Sequence, residues 1–341
     1  GTSSLLRAST SVGTLVAPTT RAQYDARSVP LPAKLFSHID QMTGWQAGGA
    51  VDATGWGGRL QELMLSATGA STFSCVSVAG NALLLSGNSV AQYQISPRGA
   101  IGLDAGSFPV YGSQACSDAL TALISESRSH LLESAYTTVT RRALDASSML
   151  GASLQTSAGF NPFSAANDNS LAAQLEMVAR MIAARGTLGA KRQVFFVSLG
   201  GFDLHDHFAA QHGRLLTEVA DALGSFHAAT VQMGISSQVT TFTASDFGRT
   251  LTSNGDGSDH GWGSHHFVMG GAVRGGRFWG KAPETAVNGS DDVGQGRLLP
   301  TTSVDQLAAE LASWFGVAGS DLGLVLPNSG NFDLGRLGLF V

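Results

Sequence analysis

Charge is what this chain has least of. Asp, Glu, Lys and Arg make up 13% of its 341 residues, and the formal net charge of −5 leaves no basic surplus. Proteins that bind nucleic acid neutralise phosphates with clustered Lys and Arg, so nucleic acid is excluded as a partner on charge. No run of eighteen apolar residues occurs, and no transmembrane helix is expected. Cysteine is nearly missing. Cys75 and Cys116 stand 41 positions apart, a spacing that does not read as a metal-ligand motif. Two buried thiols fit this pattern, and so does one disulfide, which would need an oxidising compartment. The opening Gly1-Thr2-Ser3-Ser4 has neither an initiator Met nor a signal-peptide pattern, so a longer precursor is expected.

What is abundant is small and apolar. Hydrophobic residues are 43% of the chain and glycines number 43, enough for one large core or two modest ones. Low charge with much Gly, Ala, Ser and Thr points to an exported protein, periplasmic or extracellular. Residues 1–55, punctuated by Pro18, Pro30 and Pro32, read as an irregular segment that wraps over a domain. Within it Ser37 is placed to cap a short helix, and His38 is either an exposed cap-region histidine or a substrate-binding residue. Residues 56–341 read as a single α/β domain. A helix is expected over about 57–68 and strands at 73–78, 83–85 and 90–95. The Gly80-Asn81 and Gly87-Asn88 turns suggest that these strands form a small antiparallel element. Helices follow at about 113–128 and 130–150, and another is capped by Ser170 and stopped by Gly186.

The run Val194-Phe195-Phe196-Val197 suits a parallel strand covered on both faces. A helix over about 206–232 and a strand over 238–244 complete a βαβ unit with a right-handed crossover. In open α/β sheets ligands gather beyond the carboxyl ends of the strands. Seven of the nine histidines lie between His205 and His266, and acids accompany them at those ends. Asp203 and His205 alternate past the first strand and can converge. Asp246 follows the second. An oxygen and imidazole donor set suits zinc, manganese or iron better than calcium. Asp206 fits the cap of the following helix, His207 a solvated position, His212 a core or supporting position and His227 the surface. Arg249 can hold an anionic substrate group bidentately. Residues 247–263 read as a polar, glycine-rich loop carrying Asp259-His260. Adjacent His265 and His266 face opposite ways on a strand, so at most one joins the site. A hairpin edge is expected at Gly275–Gly280, and a last helix over about 303–316.

The motifs Gly200-Gly201-Phe202-Asp203-x-His205-Asp206, Ser245-Asp246-Phe247-Gly248-Arg249-Thr250, Ser258-Asp259-His260-Gly261 and Gly270-Gly271-x-Val273-x-Gly275-Gly276 resemble the bacterial DUF1501 family. Val16-Ala17-Pro18-Thr19-Thr20, Leu35-Phe36-Ser37-His38-x-Asp40-Gln41 and Gly55-Trp56-x-Gly58-Arg59 match it as well, so the resemblance spans nearly the whole chain. That family is grouped with alkaline phosphatases and sulfatases. The resemblance implies a doubly wound, mostly parallel sheet with helices on both faces and metals at the strand ends. It also implies export. Carried over motif by motif, Asp203, His205, Asp246 and His260 become metal ligands. Arg249 and Asp259 become substrate-binding or supporting residues; His265 and His266 stay, on the residue reading alone, as additional metal candidates of which at most one joins the site. The family's usual acid in the second motif is Glu, where this chain has Asp246. Its opening strand, with a Gly-Gly-x-Asp-Gly-x-Asn-like turn that brings the nucleophile, has no match at Gly48-Gly49-Ala50-Val51-Asp52. The nucleophile is therefore expected upstream of Gly1.

Two functions follow as expectations. One is a metal-dependent hydrolase of small phosphate or sulfate esters. The other is a secreted binding or assembly protein on a degenerate hydrolase scaffold, with a protein partner and an oligomeric state of its own.

Overall fold

The computed structural model describes residues 6–9, 11–49, 54–69, 72–100, 109–127, 129–156, 160–163, 168–335 and 337–341. Its strands are β1 (Leu6–Ser9), β2 (Val12–Gly13), β3 (Cys75–Ser77), β4 (Tyr93–Ser96), β5 (Gly99–Ala100), β6 (Val194–Phe196), β7 (Thr240–Phe242), β8 (Arg249–Ser253), β9 (Ser258–His260), β10 (Phe267–Gly270), β11 (Phe278–Trp279) and β12 (Thr302–Ser303). The helices are α1 (Arg21–Ala26), α2 (His38–Ala47), α3 (Trp56–Thr68), α4 (Gln114–Ser125), α5 (Leu131–Thr156), α6 (Ser170–Ala183), α7 (Phe208–Gln232), α8 (Val304–Phe315) and α9 (Leu322–Val325).

The fold is mixed α/β. One four-stranded sheet runs β5-β4-β3-β6, parallel across β4, β3 and β6 with β5 antiparallel at its edge. A second runs β11-β1-β10-β7, in which β10 is antiparallel to both of its neighbours. β2 pairs with β12, and β8 with β9. Successive side chains of a strand point to opposite faces, and β3 and β6 show what that achieves here. Cys75, Val194 and Phe196 join a core with Trp56 and Leu60 of α3, Leu307 and Leu311 of α8 and Val325 of α9. Val76, Phe195 and Val197 join another with Leu150 of α5, Leu175 and Val178 of α6 and Phe226 of α7. Helices thus cover both faces of this sheet, as the apolar run at 194–197 implied. Each fully buried Leu, Val or Phe in these cores contributes about 1.5–3 kcal/mol over an exposed one.

Several expectations need correction. Leu83–Leu85 is a 3-10 turn, not a strand, and β3 and β4 pair in parallel. Glycine explains this. A Cβ on Gly55 would stand 2.0 Å from the Leu83 carbonyl oxygen, so α3 starts hard against the 83–87 backbone and leaves it no room to pair as a strand. Residues 1–55 do more than wrap: β1 is an interior strand and α2 is a ten-residue helix. Residues 247–263 contain the β8–β9 hairpin, whose register shift hides its alternation. The Phe278–Trp279 segment pairs in parallel with β1 and makes no hairpin. β6 and β7 belong to different sheets, so no ladder among the described residues closes the expected βαβ unit. Asn169, not Ser170, caps α6, accepting from the Ala172 N–H at 3.0 Å. Both cysteines are free: Cys75 is buried, its thiol pushed up to about 12 by burial and by the charge of Glu62, while Cys116 is exposed. His227 is buried on α7, and burial lowers its pKa.

The least comfortable group in the core is Asp305, in the first turn of α8. It is 3% exposed, and its Oδ1 has no hydrogen-bond partner. Burial pushes its carboxyl up to about 6 against the opposing pull of its own backbone N–H and of Arg59. The folded value lies above the ordinary carboxylate value of 3.8, so this contribution to stability is whole below about pH 4 and is lost as pH rises through 6. Asp305→Asn is expected to match the natural protein in urea unfolding at pH 4. At pH 8 it should be more stable, by an amount of up to roughly 3 kcal/mol. Equal stability at both pH values would remove Asp305 as a source of the pH dependence.

Candidate metal centre

Three parts of the chain, far apart in sequence, meet at one exposed edge. Beyond β6 the backbone turns through Gly201 (φ +94) into Phe202-Asp203-Leu204-His205. The Leu204 N–H donates to Phe202 O at 2.9 Å and the His205 N–H to Asp203 O at 3.2 Å, while buried Leu204 anchors the turn. The β8–β9 connection then fastens it. Ser258 N–H donates to Leu204 O at 3.2 Å, and the Asn254 amide donates to His205 O at 3.1 Å. Only glycine fits at 257, where a Cβ would lie 2.4 Å from the His205 carbonyl carbon. Across the hairpin Arg249 is in register with His260. The third part is the start of α2. Phe36 takes φ +72, and His38 is the first helical residue.

Asp203 is where these parts converge. Its Oδ1 stands 3.1 Å from His205 Nε2 and 3.1 Å from His260 Nε2, and those two nitrogens are 2.9 Å apart. Arg249 donates Nη1–H to the same oxygen, Nε–H to Ser258 Oγ at 3.2 Å and Nη2–H to Ser258 O. The other oxygen, Oδ2, faces His38 Nε2 at 3.2 Å, and His38 Nδ1 faces Asp246 Oδ2 at 2.8 Å. His38, Asp203 and His260 also offer ligand atoms within 4.8 Å of one another. Phe247 stacks on His260, ring centres 4.2 Å apart, and tilts against His38 at 4.6 Å.

The protons can be assigned from the acceptors. His260 Nδ1 lies 2.8 Å from Phe36 O, a carbonyl that only accepts, so Nδ1 carries the proton. His205 Nδ1 faces Asp259 Oδ1 at 3.3 Å, and an ionised carboxylate also only accepts. In the neutral rings both Nε2 atoms are then lone pairs, and they converge with a carboxylate oxygen. Four-coordinate zinc at its usual bond lengths sets its ligand atoms about 3.3 Å apart, close to this spacing. Burial tends to raise the Asp203 carboxyl, but the hydrogen bonds from Arg249 and His38 outweigh it, with any positive charge on His205 or His260 adding to them, and hold it low. The hydrogen bond to Asp246 raises His38 above its ordinary value, burial opposes this, and Asp203 adds to the rise.

The sequence-derived residues separate accordingly. Asp203, His205, His260, Arg249, Asp246 and His38 come together, and Asp259 supports His205. Asp246 meets the cluster through His38. His265 points its Nδ1 at Ser9 O at 3.0 Å. His266 is buried against Trp45, with burial and its neighbour His265 lowering its pKa to about 3. His207 is exposed, as expected, and so is Asp206, which caps nothing: His207 takes φ +51, and Asp256 accepts its N–H at 2.9 Å instead. His212 stacks on Phe208 at 4.6 Å in a half-buried position. Ser37 is the N-cap of α2, but its hydroxyl donates to Asp40 Oδ2 at 2.6 Å. Sequence reasoning missed Asn254, Phe36 and Gln41. Buried Gln41 accepts the Phe36 N–H and donates to Asp246 O at 3.4 Å, tying α2 to the second motif. Arg297 stacks on the Phe36 ring at 4.6 Å and donates to His260 O at 2.9 Å. Their shared presence in the Leu35–Gln41 motif was the available signal for Phe36 and Gln41.

The family model described as a protein of unknown function, DUF1501, matches residues 8–325. The chain belongs to that family. No curated protein and no solved structure matches it.

The Gly257 contact makes a direct prediction. In Gly257→Ala the methyl group meets backbone rather than a mobile side chain tip, so the 254–258 loop must shift. A loss of about 2 kcal/mol in urea unfolding is expected, together with a change in the His205 imidazole resonances. An alanine variant with unchanged stability would show that the loop does not bear on His205.

Proposed function

We propose that this protein is an exported, metal-dependent hydrolase acting on small phosphate or sulfate esters. The observation that carries the reading is the convergence of Asp203 Oδ1, His205 Nε2 and His260 Nε2 within 3.1 Å, with both Nδ1 atoms already committed to acceptors. Lone pairs at that spacing repel one another, and a cation among them would relieve the repulsion. One carboxylate and two imidazoles suit zinc, manganese or iron, and calcium less. A bound divalent ion would supply Lewis acidity and a lowered pKa for a water or hydroxyl nucleophile.

The chain's own residues take the remaining roles. Asp259 orients His205 and the Phe36 carbonyl orients His260, each fixing the tautomer that presents Nε2, as carboxylates and carbonyls commonly do behind metal-bound imidazoles. Asp246 holds His38 with its Nδ1 proton and Nε2 toward Asp203. Arg249 keeps a fixed positive charge beside Asp203, suited to the non-bridging oxygens of an anionic ester. Asp246, expected as a direct ligand, is proposed to act through His38. The alkaline phosphatase-like arrangement of the sheet is part of the same proposal. It is supported by the family resemblance and by helices on both faces of the β5-β4-β3-β6 sheet. Export rests on that resemblance and on the low charge content.

A second reading, a binding or assembly protein without turnover, draws on one observation. The three nitrogens of Arg249 are already engaged with Asp203 and Ser258.

Elemental analysis of the full-length protein and an aryl phosphatase and sulfatase assay test both readings. Close to one equivalent of a transition metal is expected. Asp203→Ala and His260→Ala should each weaken its retention by about 10²-fold or more, and Asp259→Asn by about 10-fold. Ester turnover should fall with the metal and return on its addition. Metal-free protein that takes up no ion at micromolar concentration would sink the hydrolase reading. A metal-loaded protein with no turnover would favour the binding reading.

A further inference from the structure

The helical hairpin α4–α5 is built differently from the rest of the molecule. α4 is twelve residues long and has no buried residue. An isolated helix of that length is marginal in water, and in proteins a packed apolar face supplies most of the stability. α4 has such a face. Ala119, Leu120 and Leu123 are spaced along one side and all exposed. α5 repeats the pattern with Leu132, Tyr136, Val139 and Ala143, of which the first three are 72%, 64% and 68% exposed. The same stripe continues through Ala146, Leu150 and Leu154, and there it is buried in the core shared with α6 and α7. Among the described residues, one apolar stripe is therefore covered along its C-terminal half and bare along its N-terminal half. Ile124 of α4 is half-buried beside exposed Leu123, and Thr137 of α5 is buried beside exposed Tyr136, which sets the seam between the two helices there. At about 100° per residue, both exposed stripes fall on the same side of that seam.

We propose that this face is a two-fold interface with a second copy of the same chain. Two properties of the face select a second copy. The first is self-complementarity. A symmetric dimer needs a surface in which residue i meets j and j meets i. The spacing of Leu132, Tyr136, Val139 and Ala143 is four, three, four, and it reads the same in both directions. An antiparallel pairing about its midpoint sets Leu132 against Ala143 and Tyr136 against Val139, large opposite small. The flanking charges tolerate this. Glu133 and Arg142 lie nine residues apart, so each stands about 14 Å along the axis from its own copy, beyond the screening length of about 8–10 Å. The second property is area. The exposed apolar side chains of the hairpin offer roughly 700 Å² per copy, close to the ~800 Å² per partner of a specific interface. This inference does not depend on the metal reading.

Sedimentation velocity on the full-length protein from 1 to 100 µM tests it. A dimer is expected in this range, and Leu132→Glu/Tyr136→Glu should weaken it by about 100-fold or more. A cysteine pair, Tyr136→Cys/Val139→Cys in a Cys116→Ser background, should oxidise to a covalent dimer, and this holds even if the charged variant misfolds. A protein that is monomeric throughout overturns the proposal, including one that instead floats with anionic phospholipid vesicles. So does a dimer that survives the charged substitutions, or a cysteine pair that does not cross-link.

Discussion

Everything at the candidate centre depends on one oxygen. Asp203 Oδ1 receives an arginine N–H and faces two imidazole nitrogens that, in the neutral rings, have only lone pairs to offer. That arrangement is repulsive in itself. It persists because each group is held from behind: His260 by the Phe36 carbonyl, His205 by Asp259 and Asn254, and Arg249 by Ser258. Buried or half-buried polar groups are expensive to misplace, so a ring of satisfied partners outside the cluster can maintain a strained approach inside it. The backbone carries part of this burden. Phe36 at φ +72 turns its carbonyl toward His260 and its ring toward Arg297, and glycine at 257 lets one loop lie against another.

The fold explains why such distant segments meet. β1 is inserted between β10 and β11, and β2 lies beside β12, so the start of the chain is threaded through its later half. That threading delivers α2, and with it His38 and the Phe36 carbonyl, to the edge where the segments after β6 and β7 end. Removing α2 from this position would leave His260 without the acceptor that fixes its tautomer and Asp246 without its imidazole.

How much of this was legible in the sequence depended on period and on distance. Long amphipathic helices, α3, α5, α7 and α8, declared themselves through apolar spacing, because a 3.6-residue period survives many substitutions. The glycine-rich hairpin β8–β9 did not, because a register shift and the two glycines of its turn, Gly255 and Gly257, erase a two-residue alternation. Asp203, His205 and His260 were legible because acids and imidazoles are scarce in a chain with so little charge. His38 was visible only as an alternative to a surface histidine, since nothing local says that a helix start will face a strand end 165 positions away. His227 and His266 were hidden for the opposite reason. Their neighbours look ordinary in sequence, and only packing shows them to be buried.

The balance of charge bears on which occupant the centre suits. Among the side chains that touch Asp203 or the imidazole nitrogens, Asp203, Asp246 and Asp259 bring three negative charges and Arg249 one positive, so neutral imidazoles leave an excess of two, with Arg297 one step behind on the His260 carbonyl. A proton on His38, which Asp246 favours, removes one of them. A monovalent cation would leave a residual negative charge against which an anionic ester must approach. A divalent ion, of the kind proposed above, would cancel that excess. Coulomb energies at these separations run to about 4 kcal/mol for each unit charge at an effective dielectric constant of 20. The same matching requires Arg249 to stay: without it the excess becomes three, and one divalent ion no longer neutralises the site.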